Sequence, residues 1–397
     1  MRSMPDRPRL RGRDIICVGF ADWDTELWTN QHHLMSRLAR DNDVLFVESL
    51  GLRQPRLAGR DISRLRRRLR RGLAPPRAVD GLHVISPLVV PAHRYRAVRA
   101  LNARLLPAIV ARAARGLGMS NPVLWGYAPQ AEALIESLKP SLVVYHCVDD
   151  IAAQPGVDAD SFRAAELRFA SRADLVMASS PLLADRLRPL SNDFLYAPNV
   201  ADVDMFATAL DAGRGDADMD LLPGPRIVFT GAIVQSKLDF DLIVALARSR
   251  PSWSFALVGP IGPGDPTTDV APLRAEPNVH LLGHRPHREL PAVLRSADAA
   301  LIPYSINALT RGVFPMKVYE YLAAGLPVVS TPLPALSETS EVLIARDAAE
   351  IARLLEHALD TDGEALARER SRAASGHSWE RRLEEISAAI DSVETRG

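Results

Sequence analysis

Lys317 and Glu320 stand one helical turn apart in the segment TRGVFPMKVYEYLAAGLPVVST (310–331). A loop containing Gly312 and Pro315 precedes them, and Gly325 and an apolar run follow. A helix start exposes backbone N–H groups and the positive end of the dipole, a setting that suits a phosphate. A lysine in that first turn opposes the dipole, a conflict that an arriving anion relieves. Glu320, one turn on, is within reach of a neighbouring ribose. The chemistry implied is capture of a nucleotide phosphate; the plain alternative is a solvated pair at spacing i, i+3. Lysine is scarce here. Of 48 basic residues only Lys139, Lys237 and Lys317 are lysines. A compact ammonium suits a tight phosphate pocket better than the broad guanidinium fork does.

A second group lies in GFADWDTELWTNQHHL (19–34), which follows the first apolar run. Asp22, Asp24, Trp28, Gln31 and His32 combine an aromatic face with polar groups, which suits a sugar acceptor. Ordinary loop chemistry ahead of a helix starting at Thr29 reads the same residues equally well.

Positioning such groups requires strand ends and helix starts, and the pattern supplies them. Short apolar runs alternate with helical stretches, the signature of parallel sheets covered on both faces. Strands are expected at 15–20, 44–48, 82–86, 123–127, 142–148, 174–179 and 194–198, with helices at 31–40, 94–117 and 160–171. The pattern restarts with strands at 226–231, 255–260, 279–283, 299–304 and 327–331 and helices near 239–250, 287–297 and 316–324. Helices at 347–358, 363–374 and 378–394 close the chain. AGRGDADMDLLPGP (212–225) reads as a linker. The expected fold is α/β with two doubly wound domains, ligands binding at the carboxyl ends of strands and in the cleft between domains.

The chain has 397 residues, enough for two domains. Its net charge is zero but uneven: residues 1–200 hold 29 basic and 20 acidic side chains, and 201–397 hold 19 and 28. The basic half suggests an anionic partner, or two domains that complement each other. Cys17 and Cys147 lie in apolar runs and form no disulfide framework, which fits a reducing cytoplasm. No window approaches a membrane span, and the first apolar run is too short for a signal-peptide core. VGFADWD after the first strand lacks the dinucleotide fingerprint. There is no P-loop, no HExxH or Cys/His cluster, and no GxSxG elbow, so no metal and no serine nucleophile are expected. No nucleic-acid partner is expected.

PMKVYEYLAAGLPVVST (315–331) resembles the donor site of GT-B glycosyltransferases of the family 4 kind. It is similar above all to a branch acting in bacterial cell-surface polysaccharide synthesis, of the teichuronic-acid type, with P-x-K-x-x-E-Y-x-A-x-G. The resemblance implies two Rossmann-like domains facing a cleft: an acceptor domain, 1–205, and a donor domain, 206–376, with a terminal helix, 377–397, crossing back to the first. It implies that Glu320 binds ribose hydroxyls. Gly312 stands where the family carries the first Glu of its E-x7-E motif. RIVFTGAIVQSKLDFDLI resembles the first donor-domain strand, so Gly231 and Lys237 are implied at the diphosphate, with Ala232 in place of an arginine. Phe314, Pro315, Met316 and Lys317 are implied in the donor loop, and Gly283 and His284 under the base. YAPNVADVDMF resembles the family's P-N-G-V-D turn at Asn199 and Asp202, with Val200 for the glycine. By the same resemblance His146, Asp149 and Asp150, at the end of YHCVDD, lie beside the reacting sugar. The carboxylates are preferred there, because a base needs a free face.

The function implied is transfer of a sugar from a nucleotide-diphosphate donor to a hydroxyl of a glycan or glycolipid, with retention and without a metal. The alternatives are a nucleotide-sugar epimerase of the same fold and a non-catalytic homologue. Residues 53–77 hold ten Arg and one acid, Asp61. Ile62, Leu65, Leu69 and Leu73 form a stripe among Arg64, Arg66, Arg67, Arg68, Arg70 and Arg71. Such a helix can lie on an anionic bilayer; a solvated basic loop or a helix packed on the sheet is the alternative. The expected location is the cytoplasm, peripheral on the inner face of the cell membrane.

Overall fold

The computed structural model describes residues 10–49, 75–87, 96–154 and 156–396. The chain divides into two units, Met1–Pro198 with Leu383–Gly397, and Asn199–Arg382.

The first unit is built on eight strands in the order β3-β4-β2-β1-β5-β6-β7-β8. They are β1 (Asp14–Val18), β2 (Asp43–Val47), β3 (Arg77–Val79), β4 (Leu82–Ile85), β5 (Val123–Gly126), β6 (Leu142–Cys147), β7 (Leu175–Ala178) and β8 (Phe194–Tyr196). All pairs are parallel except β3–β4. β1, β5 and β6 are buried almost throughout, which is why they read as continuous apolar runs rather than alternating ones. The end of the terminal helix, Trp379–Arg396, belongs to this unit from Leu383 onward. It is held there by the Leu10 N–H on Ser387 Oγ (2.9 Å) and by Arg13 on Glu394 (2.6 Å).

The second unit has six parallel strands in the order β11-β10-β9-β12-β13-β14. These are β9 (Arg226–Thr230), β10 (Ser254–Val258), β11 (Val279–Gly283), β12 (Ala299–Ile302), β13 (Val328–Ser330) and β14 (Val342–Ile344). Helix Phe240–Ser249 is representative of the elements that cover them. The Asp239 carboxylate caps its start by accepting the Leu242 N–H (2.9 Å), and Phe240, Ile243, Leu246 and Ala247 form its buried face. Each large aliphatic group so buried stabilises by about 1.5–3 kcal/mol.

Twelve expected strands are present; β3 and β14, three residues each, escaped the apolar pattern. The expected linker is corrected. Residues 212–225 contain a capped turn of helix, Ala217–Asp220, whose Met219 is wholly buried in the second unit's core. Residues 53–74 of the basic segment lie outside the described residues; Arg77 falls in β3.

Candidate functional site

In the second unit the chain runs β9, β10, β11 to one side and then crosses to β12 on the other side of β9. The carboxyl ends of β9 and β12 therefore flank the topological switch point, where doubly wound sheets bind ligands. Gly231 leaves β9 at φ 123°, a left-handed conformation that favours glycine. A side chain at Gly259 would overlap the Gly231 carbonyl oxygen, so the turns after β9 and β10 pack backbone to backbone.

Helix Lys317–Ala323 carries the two central residues. Lys317 Nζ donates to Tyr304 Oη (2.8 Å) and lies 5.1 Å from the Phe229 ring centre and 5.2 Å from that of Tyr304. Phe229 belongs to β9, and Tyr304 follows β12, so the ammonium spans the switch point. At Phe229 that distance suits a cation–π attraction, weak when exposed and stronger when desolvated, whereas at Tyr304 the ammonium meets the hydroxyl. Among the described residues no carboxylate pairs with Lys317. Glu320 is buried, with His287 Nε2 3.9 Å from its Oε1. Tyr321 fastens the helix to β9: its buried hydroxyl accepts the Thr230 N–H at 2.7 Å.

The helix start differs from expectation. Val318 and Tyr319 N–H groups already bond the carbonyls of Pro315 (3.2 Å) and Met316 (3.1 Å). Positive charge at this end of the sheet is therefore mainly the lysine ammonium rather than a row of open amides. Phe314 is buried, with its ring stacked on Tyr319 (5.7 Å, 21°). Its carbonyl accepts from Asn199 Nδ2 at 2.8 Å.

Lys237 is half-buried, and its carbonyl accepts the Ser305 N–H (2.8 Å) beside Tyr304. The Lys317 side chain thus runs beside Gly231, 3.4 Å from where a Cβ would stand, and meets Tyr304, next to the Ser305 that Lys237 binds. Gly283, at φ 75°, and His284 lie at the end of β11, two strands from β9, or about 10 Å at normal strand spacing. Arg285 fixes that loop through Asp216 (2.8 Å) and the Leu282 carbonyl (2.9 Å). The ion pair raises the arginine pKa, with Asp216 the main cause, and Asp216 is lowered despite its burial. Phe229, Tyr304 and His287 were not singled out by the sequence and meet this site through long-range pairing; Asn199 was named only for its turn, and Tyr321, next to Glu320, was passed over although it bonds Thr230.

The first unit's candidates divide. Asp150 is buried and bound to Arg163 (2.6 Å) and Arg186 (3.5 Å), in a network where Glu166 takes the same two arginines and the Tyr145 hydroxyl. A carboxylate so engaged lacks the free face expected of it. His146 is buried in β6, stacked on Tyr127 (4.8 Å, 29°). Asp149 is half-buried just beyond the strand. Gln31 and His32 are fully buried rather than presented to a sugar. Gln31 Oε1 accepts the Phe20 N–H (3.0 Å), and His32 bonds Thr29 and the Asp22 carbonyl. Burial lowers the His32 pKa against these contacts, so the ring is neutral at pH 7. Asp22 and Trp28 are exposed, Trp28 lying over His32 (5.9 Å, 23°). Both cysteines are buried thiols, and burial pushes the pKa of each up. Among the described residues no group of His, Cys, Asp or Glu is arranged to hold a metal, and no helix is long and apolar enough to cross a membrane.

Two Rossmann-like units, a switch-point lysine and a returning terminal helix define a fold of the GT-B class, and solved structures agree. Sucrose-phosphate synthase from Thermosynechococcus elongatus aligns at TM-score 0.68 and 16% identity, over 97% of this chain and 100% of that one. Anabaena HepE, solved in complex with UDP, aligns at 0.66 and 15%, over 96% and 100%. Residues 224–361 match the family described as Glycosyl transferases group 1, so the second unit carries a domain of that family. The chain is homologous to a Bacillus subtilis protein named as a teichuronic acid biosynthesis glycosyltransferase, TuaH, at 32% identity over 182 residues, 44% of this chain and 45% of that protein. Glycogen synthase of Mycobacterium tuberculosis is 30% identical over 195 residues, 45% of each chain. The match spans less than half the length of these relatives.

Proposed function

We propose that the chain is a glycosyltransferase that moves a sugar from a nucleotide-diphosphate donor, bound by the second unit, to a hydroxyl of a glycan or glycolipid in cell-surface polysaccharide synthesis. The observation that carries this reading is the Lys317 ammonium, fixed by Tyr304 between the ends of β9 and β12 with the Glu320 carboxylate one turn behind. In transfer, the bond from the anomeric carbon to the diphosphate oxygen breaks and the acceptor oxygen bonds that carbon. The acceptor's proton passes to a base, and negative charge grows on the departing diphosphate. A preorganised cation facing that charge lowers the barrier. Lys317, joined by Lys237, is proposed for this role, with no metal needed. Glu320 is proposed to accept from the ribose hydroxyls. Asp149 is the preferred base, being less enclosed than Asp150 or His146, and Asp22 and Trp28 are proposed on the acceptor side. The UDP held in the HepE complex supports the donor class, and the likeness to the teichuronic acid glycosyltransferase supports the polysaccharide role. Retention rests on the family resemblance.

On sequence pattern alone, we also infer a cytoplasmic protein held to an anionic membrane face through residues 53–77. The function test is a thermal-shift screen with UDP-, GDP- and dTDP-sugars, followed by incubation of the stabilising donor, labelled in its sugar, with a lipid-linked glycan extract. Stabilisation by one donor and label in the extract support the reading. No response to any donor sinks it, and binding without transfer leaves a nucleotide-sugar binding protein.

A further inference from the structure

We propose that Asn199 and His377 are positioning residues for the loop that delivers Lys317 and Glu320, holding it from the two ends of the second unit. Asn199 is the first residue of that unit, and His377 lies just before its last, Arg382. Asn199 is buried and donates Nδ2–H to the Phe314 carbonyl (2.8 Å), 115 residues further along. The Phe314 ring stacks on Tyr319, and Tyr319 stacks on His377 with centroids 3.9 Å apart and planes at 11°. The circuit closes through backbone. The His377 carbonyl accepts the Ala201 N–H (3.1 Å), and Ala201 and Ser378 pair as a parallel bridge. Phe314 is thus gripped at its carbonyl from one end of the unit and at its ring, through Tyr319, from the other. Lys317 follows Phe314 by three residues and Glu320 follows Tyr319 directly, so these grips fix where both side chains start. Neither Asn199 nor His377 is proposed to touch the donor.

The binding arm of the test rests on the donor reading above; the exchange arm does not. Hydrogen exchange on the full chain would follow the Val318 and Tyr319 amides, and calorimetry would follow UDP, GDP and dTDP. Asn199→Asp keeps the shape but removes the donor, and Asn199→Ala removes the group. Both are expected to speed exchange at 313–319 locally and to weaken the bound nucleotide by about threefold to tenfold, the net effect of one hydrogen bond. His377→Ala is expected to do the same, and His377→Phe, which keeps a ring for Tyr319, to restore wild-type behaviour. Unchanged local exchange in folded Asn199 variants overturns the proposal. Exchange raised evenly across the unit also overturns it, since that marks general stability. A His377→Phe variant as impaired as His377→Ala removes His377. If wild type binds none of the three nucleotides, the donor reading falls while exchange still decides the positioning role. If the Asn199 variants do not fold, the His377 pair decides.

Discussion

Tyr321→Phe tests the fastening of the donor helix onto β9. The Tyr321 hydroxyl is buried, accepts the Thr230 N–H at 2.7 Å and lies 3.1 Å from Thr230 Oγ1. Phenylalanine keeps the ring and its packing, so little cavity forms. What is lost is the partner of a buried backbone N–H, and an orphaned donor of that kind costs about 1–3 kcal/mol. For a unit of this size about 2–4 °C of melting temperature corresponds to each kcal/mol, so a loss of about 2 kcal/mol lowers melting by about 4–8 °C. Thr230 leads into the Gly231 turn, so nucleotide affinity is expected to fall as well. Calorimetric melting of the full chain, with and without nucleotide, gives both numbers. Alkaline pH supplies an independent check. Burial pushes the Tyr321 pKa well above its ordinary value, so the folded chain keeps a proton that the unfolded chain releases near pH 10. The stabilisation is complete below that pH and is lost as pH rises above it, by about 1.4 kcal/mol per pH unit for one proton. The variant lacks this loss, so the stability gap should narrow above about pH 10. Tyr127 and Tyr145, shifted the same way by burial, titrate in both proteins and cancel. Equal melting temperatures at neutral pH, or a gap that stays constant into alkali, would refute the reasoning.

Glu320→Ala should weaken nucleotide binding by about 1.5–3 kcal/mol, the range for a hydrogen bond to a charged group, in a chain that still folds; unchanged affinity by titration calorimetry removes Glu320 from the site. Lys317→Ala and Lys237→Ala should cost nucleoside-diphosphate affinity and turnover while sparing the free nucleoside, which has no diphosphate; equal losses for both ligands put these lysines elsewhere. The full chain should sediment with vesicles containing anionic lipid at low salt and be released at high salt, because exposed charge attraction is screened. Changing Arg66, Arg67, Arg70 and Arg71 to Gln should abolish sedimentation and leave nucleotide affinity intact. Wild type that stays in the supernatant excludes this membrane attachment.

Interior strands were legible because a parallel sheet covered on both faces writes itself as an unbroken apolar run, as in LVVYHC of β6. β3 and β14 sit at the sheet edges with only RAV and VLI, whereas β8, an edge strand equally short, was legible because the apolar run FLYAP extends beyond it. The segment 212–225 misled for a different reason. Asp, Gly and Pro mark a linker and a capped short helix alike, and only the burial of Met219 and the Asp216–Arg285 pair separates the two. Lys317 and Glu320 stood out through local punctuation, with Gly312 and Pro315 before them and Gly325 after. What holds them was not legible. Tyr321 meets Thr230 across 91 residues, and Phe314 meets Asn199 across 115. Asp150 and Gln31 likewise looked available in one dimension and are bound to partners in three.

The two sheets also separate what topology contributes from what side chains contribute. Each has a switch point beside its first strand, β1 against β5 in one unit and β9 against β12 in the other. At the first, Phe20 meets Tyr127 edge-on (6.2 Å, 73°), Tyr127 stacks on His146, and the Tyr127 hydroxyl donates to Asn30 Oδ1 (2.9 Å). At the second, two rings again meet, Phe229 and Tyr304 (6.4 Å, 60°), but a lysine lies beside both, and the tyrosine hydroxyl accepts from it. Among the described residues, the same crossing geometry is lined with aromatic rings in one unit and carries a lysine in the other. A diphosphate discriminates between those two environments by charge, whereas an uncharged sugar does not. The proposed placing of the donor on the second unit therefore draws on this ammonium and the rings beside it, together with the family match at 224–361, and not on the crossing alone.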